Sequence, residues 1–502
     1  MPDKSLIIIG AGLAGLSAGC YGRMNGYRVQ IFEQDTRPGG LVTSWERKGY
    51  TIHGNMAFLA GSGPGVAFYR IWQELGVVPK TRMIDYEYFL VYEGRDGKIF
   101  FMDNDIDKLE KQMKELSPED KDVIDDFARG VRTFARYEMP MNKAQELLGP
   151  ADKIKLLITK FPFLRAFNKW KKIRVKDFAH SFKNPLLRCA FLEFGKVFSE
   201  DLPMVLLSMA FAWGHKKSCG FPAGGALEFS RSIERRFLEL GGRVQYRSPV
   251  AKILVQNDQA VGIRLADDRE VFADYIISAA DGRTTIFGML DGKYADAKIR
   301  RDYDGLPVSA SAIIVGLGVA RSFQELPWSS AGWIYYLDEP VVIGGKKFEW
   351  LRPMIYNFDL SLAPPGKTFI RLLFPADYDY WNDLRQKPEL YKAEKEKIGS
   401  TIISLLDRRY PGLASQVEMW DVATPLTFER YTGNWKGSML GWELTRRTIF
   451  MPMKKTLPGL KNFYMAGQWV EPGGGIPMVA VSGRNVIQLI CRQDKKRFAT
   501  SI

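Results

Sequence analysis

The stretch Gly10-Ala11-Gly12-Leu13-Ala14-Gly15 constrains this chain more than any other. Aliphatic residues Leu6 to Ile9 lead into it, helical sequence from Leu13 to Met24 follows, and Arg28 to Glu33 alternates as a second strand. In such a βαβ unit Gly10 permits the tight turn and Gly12 lets the backbone approach a diphosphate. Gly15 allows helix and strand to pack closely, and the helix N-terminus faces the phosphate charge. Glu33 ends the second strand, where a carboxylate accepts hydrogen bonds from a ribose. The glycines also break the apolar run Leu6 to Cys20, which is not expected to be a secretory leader.

Arg37-Pro38-Gly39-Gly40 follows the second strand and offers a second close backbone approach. With it the chain resembles the phytoene desaturase and carotenoid isomerase family, within the larger group that includes the flavin amine oxidases. Further segments carry the resemblance in order along the chain. They are Gly241-Gly242-Arg243-Val244, Val250 to Ile253, Ala273 to Asp281, Ser361 to Lys367, Thr424-Pro425, Asn462 to Gly467 and Pro472 to Pro477. The resemblance implies FAD, held by Gly10, Gly12, Leu13, Ala14, Gly15, Glu33, Gln34, Gly39, Gly40, Leu41, Val250, Gly467, Gly475 and Ile476, with Val250 at the adenine. The implied fold is α/β: a Rossmann-type FAD-binding domain of glutathione reductase/amine oxidase type, a mixed α+β substrate domain and a helical membrane-facing subdomain. The expected boundaries are 1–82, 221–290 and 457–502 for the FAD-binding domain, and 83–107 and 291–456 for the substrate domain. Residues 108–220 form the helical, basic unit.

Departures from the family's pattern fall near the expected flavin ring. Gln468-Trp469-Val470-Glu471 occupies the closing motif, and His53, within His53-Gly54-Asn55-Met56, stands where the family has an acid. Glu471 and His53 are therefore the candidates for proton transfer. The alternative for Glu471 is a solvated loop residue or an ion-pair partner. His180 and His215 are expected at the surface. Gly61-Ser62-Gly63-Pro64-Gly65 lacks a preceding buried strand and is read as a loop, not as a nicotinamide site. Electrons then leave to a quinone or oxygen, or the cycle is redox-neutral.

The net charge of +14 is concentrated: eleven Lys or Arg against one acid, Asp177, lie between Lys153 and Arg188. Leu156, Leu157, Ile158, Phe161, Phe163, Leu164, Phe167 and Trp170 interleave with these cations, a pattern suited to an anionic lipid headgroup layer. No nucleic-acid module accompanies the charge. The run Leu202 to Trp213 is too short to cross a bilayer. Cys20, Cys189, Cys219 and Cys491 form no paired motif, so free thiols and a reducing compartment are expected, with no metal site.

The expected function is FAD-dependent desaturation, isomerisation or saturation of a long isoprenoid or polyene taken from a membrane, in a cytoplasmic, peripherally attached protein. Passing a twenty-carbon chain through water would cost roughly 16 kcal/mol. Trp328, Trp333, Tyr335, Tyr336, Trp350 and Phe358 are candidates for the lipophilic pocket, or for ordinary core. A soluble amine oxidase-like enzyme and a non-enzymatic prenyl or lipid carrier on the same fold remain open. The direction of reaction and the oligomeric state are not readable.

Overall fold

In the computed structural model, residues 4–502 are described except 55, 139–140, 197–198, 200, 330–331, 450, 452 and 474. Asn55 and Gly474, which belong to motifs above, lie outside the described residues.

The fingerprint folds as expected: strand β1 (Ser5–Ile9), helix α1 (Leu13–Met24) and strand β2 (Arg28–Phe32). They belong to a parallel sheet with the order Arg243–Gln245, β2, β1, Tyr275–Ser278, Phe463–Met465. The strands thus come from three distant parts of the chain. Helix α1 is buried from Leu13 to Gly22, packed against β1 and β2 and against the helices Gly225–Glu239 and Gly475–Gln493. Gly15 makes this packing possible: a Cβ there would lie 1.9 Å from the Gly10 carbonyl oxygen.

Two four-stranded sheets form the mixed part. One is centred on Ser311–Val319, every residue of which is buried between antiparallel Thr368–Ala376 and Val417–Ala423. The other joins Tyr88–Glu93 and Ile99–Asp103 to Trp333–Ile343 and Lys346–Leu351. The fold is α/β.

The charged, amphipathic stretch Lys108 to Tyr137, which reads from its sequence as helical, is two helices, Ile106–Leu116 and Lys121–Arg136, parted at Ser117-Pro118. Proline cannot continue the hydrogen-bond ladder there, and Ser117 bonds Asp120 instead, at 2.7 Å. Ile106–Leu116, Lys121–Arg136, Phe161–Trp170 and Val175–Ala179 pack around Met204–His215, and with Pro185–Lys196 they share a core of Phe127, Trp170, Phe178, Phe191 and Phe211. Residues 221–225, read as a plain loop, begin in the short strand Cys219–Pro222, which pairs with Leu59–Ala60 and Met83–Ile84. No helix among the described residues is long and apolar enough to cross a membrane.

Candidate functional site

A cavity of about 440 Å3 opens where the carboxyl ends of β1 and β2 meet α1. Every residue expected at the cofactor lines it except Gly15, which lies behind, in the α1–β1 packing. Gly12, Leu13 and Ala14 bring the helix N-terminus to it. Gly39 donates its N–H to the Ala11 carbonyl at 2.9 Å, and an added Cβ on Gly40 would lie 3.5 Å from the Gly12 Cα. The paired glycines therefore abut the fingerprint loop, two segments separated by a whole helix and strand.

Two kinds of glycine are distinguishable here. Gly10 and Gly39 have φ of +96° and +110°, which side chains rarely adopt. Gly12 has an ordinary φ of −67°, and a Cβ added to it meets no atom within 4 Å. Neither backbone nor packing demands glycine at 12, and the space in front of it is open cavity. That fits a nucleotide diphosphate against the amide ends of α1.

Glu33 is buried at the cavity wall, its carboxylate accepting the Ala11 N–H at 2.6 Å and the Asp35 N–H at 2.9 Å. Burial pushes its pKa up, and those two N–H groups pull it back. Val250, with Ser248 and Pro249, supplies a wall beyond β2. At the other end Gly467, Gln468, Trp469, Gly475 and Ile476 close the cradle, and Gly467 donates to Ser482 at 2.9 Å. Asp281 also lines the cavity, accepting from the Thr284 and Trp435 amides at 2.7 and 3.0 Å.

The same cavity continues into an apolar half. Leu202, Leu206, Leu207, Ala210 and Trp213 form one wall, facing Met56, Ala57, Phe58, Phe68 and Phe89, with Phe194 and Leu444 between. Met204–His215 carries no polar face because it is dry on both sides: Val205, Phe211 and Ala212 lie in core, while Leu206, Ala210 and Trp213 meet the cavity. These residues were not singled out from sequence, although the uninterrupted apolar run was their signal. The aromatics expected at the pocket lie elsewhere. Tyr335 and Phe358 are buried in core, and Trp328, Trp333, Tyr336 and Trp350 pack against it.

Neither proton-transfer candidate lines the cavity. His53 is fully buried, its ring stacked on Tyr356 at 5.1 Å and its Nδ1 accepting the Ala226 N–H at 3.3 Å. Burial, aided by the Arg371 cation, lowers its pKa to about 3, so it is a neutral packing group. Glu471 turns away to Lys455, with Oε2 2.8 Å from Nζ, and Lys455 also donates to Glu146 at 2.9 Å. Burial opposes the charge on Lys455, but the two carboxylates outweigh it and hold the ammonium above its usual pKa. His180 is exposed, and His215 is partly covered beside Asp105 at 3.3 Å.

In the basic stretch, Lys169 pairs with Asp126, Arg174 with Asp177 and Asp201, and Lys176 with Asp201. Lys153, Lys155, Lys160, Arg165, Lys171, Lys172 and Lys183 form no ion pair among the described residues. The helix Pro150–Thr159 buries none of its side chains. Ile158 is 73% exposed, and Ile154, Leu157 and Phe161 are each more than half exposed. Phe163 and Trp170, by contrast, are core.

Comparison with known proteins agrees with this geometry. The model of the family described as flavin containing amine oxidoreductase matches residues 13–491. The prolycopene isomerase of Daucus carota is 25% identical, the alignment covering 96% of this chain and 79% of the relative. The lycopene-forming phytoene desaturase of Pseudescherichia vulneris is 26% identical, with 97% and 99% covered. Among solved structures, an oxidoreductase from Methanosarcina mazei superposes with a TM-score of 0.60 at 18% identity, covering 96% of this chain and 100% of that one.

Proposed function

Because the chain belongs to the flavin containing amine oxidoreductase family, and so is a flavin-dependent oxidoreductase, we propose that it binds FAD and acts on carbon–carbon bonds of a long isoprenoid or polyene lipid. The observation that carries this reading is the continuity of one cavity, with a glycine cradle at one end and a carbon-surfaced wall at the other. The two carotenoid-acting relatives support the same substrate class. An amine substrate fits less well: a cation against that wall would lose its hydration without gaining a carboxylate there, since the lining carboxylates Glu33, Asp35 and Asp281 lie outside that wall.

In this reading the α1 N-terminus and the Gly12 amide hold the diphosphate, Glu33 accepts a ribose hydroxyl, and Val250 packs on the adenine. Gly467, Gly475 and Ile476 close around the flavin end. The cofactor supplies a hydride acceptor when oxidised and a hydride donor when reduced. Leu206, Ala210 and the facing Met56 and Phe58 exclude water and align the chain. A net oxidation passes electrons to a quinone or oxygen; an isomerisation needs no acceptor.

The substrate enters from a membrane surface. Ile154, Leu157, Ile158 and Phe161 are apolar side chains in water, surrounded by Lys153, Lys155, Lys160 and Arg165. That combination suits shallow insertion into an anionic leaflet, each cation contributing on the order of 1 kcal/mol. The protein is then a cytoplasmic, peripherally attached enzyme.

The test is anaerobic incubation of the oxidised and the reduced holoenzyme with a polyene-containing lipid extract, after the released cofactor is identified as FAD. Bleaching of oxidised flavin identifies a desaturase, reoxidation of reduced flavin a saturase, and rearranged product without net redox an isomerase. No product in either state overturns the reading.

A further inference from the structure

The apolar wall has a definite end. Leu206, Ala210 and Trp213 follow one another on a single face of Met204–His215, so from the first to the last the wall extends about 10 Å at 1.5 Å per residue. At Trp213 it meets Phe68 edge to face, with ring centroids 5.8 Å apart.

The pair is backed tightly. Gly61 lies under Phe68, where an added Cβ would come within 2.5 Å of the Phe68 Cβ. Gly214, the next residue after Trp213, lies against the ring of Phe89, which an added Cβ would approach to 2.7 Å. The glycine loop 61–65 thus has a use unrelated to nucleotides.

Immediately beyond, the chemistry changes. Glu138 accepts the Ala67 N–H at 2.6 Å and pairs with Lys216 at 2.8 Å, and Lys216 also donates to the Gly65 carbonyl. A hydrocarbon pushed past the two rings would displace water from a charged clasp and gain no apolar surface in return.

Building on the lipophilic-substrate reading, we infer that Trp213, braced by Phe68, is the stop that limits how far a substrate chain extends. It therefore selects which bond along the chain lies beside the cofactor cradle. Ala210, one turn earlier, is small, and the cavity is open in front of it.

The experiment offers linear polyene hydrocarbons of graded length, in anionic vesicles, to the holoenzyme and to the variants Trp213→Ala, Trp213→Leu and Ala210→Phe. Binding is read by quenching of flavin fluorescence, turnover by kcat/KM at each length, and folding by flavin content. Shortening the side chain at 213 is expected to raise the ratio of longest to shortest substrate by at least about tenfold, and Ala210→Phe to lower it comparably, as added or missing methylenes do in apolar pockets. Trp213→Leu keeps the test valid where Trp213→Ala folds poorly. Variants that speed all lengths alike would make the pair a gate and overturn the stop. Unchanged length profiles would do the same, with the lipophilic reading intact. A wild-type protein that binds no polyene of any length would remove the lipophilic reading and the stop together.

Discussion

Glu471 pairs with Lys455 across 2.8 Å, and the lysine side chain is only 4% exposed. The contact is a charge pair rather than a directed hydrogen bond, since Oε2 has no hydrogen-bond partner of its own. Lys455 also pairs with Glu146, so the closing loop of the cradle is tied to the segment that leads into the helix Pro150–Thr159. Removing the lysine leaves two carboxylates facing each other, so Lys455→Met is expected to cost about 3–5 kcal/mol, as loss of one partner from a buried pair does. Glu471→Gln keeps the Lys455–Glu146 contact and should cost less, with flavin-loaded turnover within about threefold of wild type. Equilibrium denaturation and flavin content check both. A tenfold or greater loss of turnover in fully loaded Glu471→Gln would restore Glu471 to the chemistry.

His53 makes a prediction about acid. Its folded-state pKa, near 3, lies below the ordinary histidine value of 6.5, so the unfolded chain binds a proton first as pH falls. The stability that neutral His53 contributes is complete above about pH 6.5 and is lost progressively toward pH 3. His53→Gln should flatten the decline in unfolding free energy over that window. The pH dependence of turnover between 6 and 8 should be unchanged by the same substitution. A bell-shaped profile whose lower limb disappears in the variant would contradict this.

The two classes of glycine predict opposite phenotypes. Gly12→Val adds a side chain to open cavity, so the apoprotein should fold normally, within about 0.5 kcal/mol of wild type, and bind flavin at least about a hundredfold more weakly. Gly15→Ala drives a methyl group into the Gly10 carbonyl at 1.9 Å, so it should lower the melting temperature whether or not flavin is present. Thermal melts of the apoprotein and flavin titration separate the two.

Membrane attachment divides into charge and insertion. Replacing Lys153, Lys155, Lys160 and Arg165 with Glu should abolish sedimentation with anionic vesicles while leaving flavin content unchanged. Replacing Ile154, Leu157, Ile158 and Phe161 with Ser should weaken binding in a way that lowering the salt does not fully rescue, because the lost contribution is apolar burial. Undiminished sedimentation of both variants would remove the docking surface.

What the sequence disclosed, and what it did not, follows from the range of the interactions. The βαβ unit was legible nearly to the residue, since strand, glycine turn and helix are dictated by neighbours within a few positions: helix Leu13–Met24 occupies the expected span. The paired glycines Gly39-Gly40 were expected to offer a close backbone approach, but that they abut Gly12 itself is seen only in the structure. Lys455 and Glu146, by contrast, are 309 residues apart, and each alone reads as a solvated charge. The apolar helix 204–215 was visible as a hydrophobic run, but hydrophobicity cannot say which face meets core and which meets cavity. The second-half aromatics were offered to the pocket on composition, and the sheets around Ser311–Val319 and Trp333–Ile343 took them instead. Residues 221–225 looked like a loop because Pro222, Gly224 and Gly225 are poor strand formers. Phe221 and Pro222 nevertheless end the strand Cys219–Pro222, because short partners on both sides supply its hydrogen bonds.

The central claim is that one cavity brings a flavin and a lipid chain side by side, and the most direct measurement is the optical response of the bound flavin. Dark, anaerobic titration of the yellow holoenzyme with a polyene hydrocarbon should quench flavin fluorescence saturably and shift its absorption bands near 450 nm, as transfer into an apolar surrounding requires. A protein that stays colourless when supplied with FAD, or a fully loaded one whose spectrum is unmoved by a polyene it demonstrably binds, would contradict it.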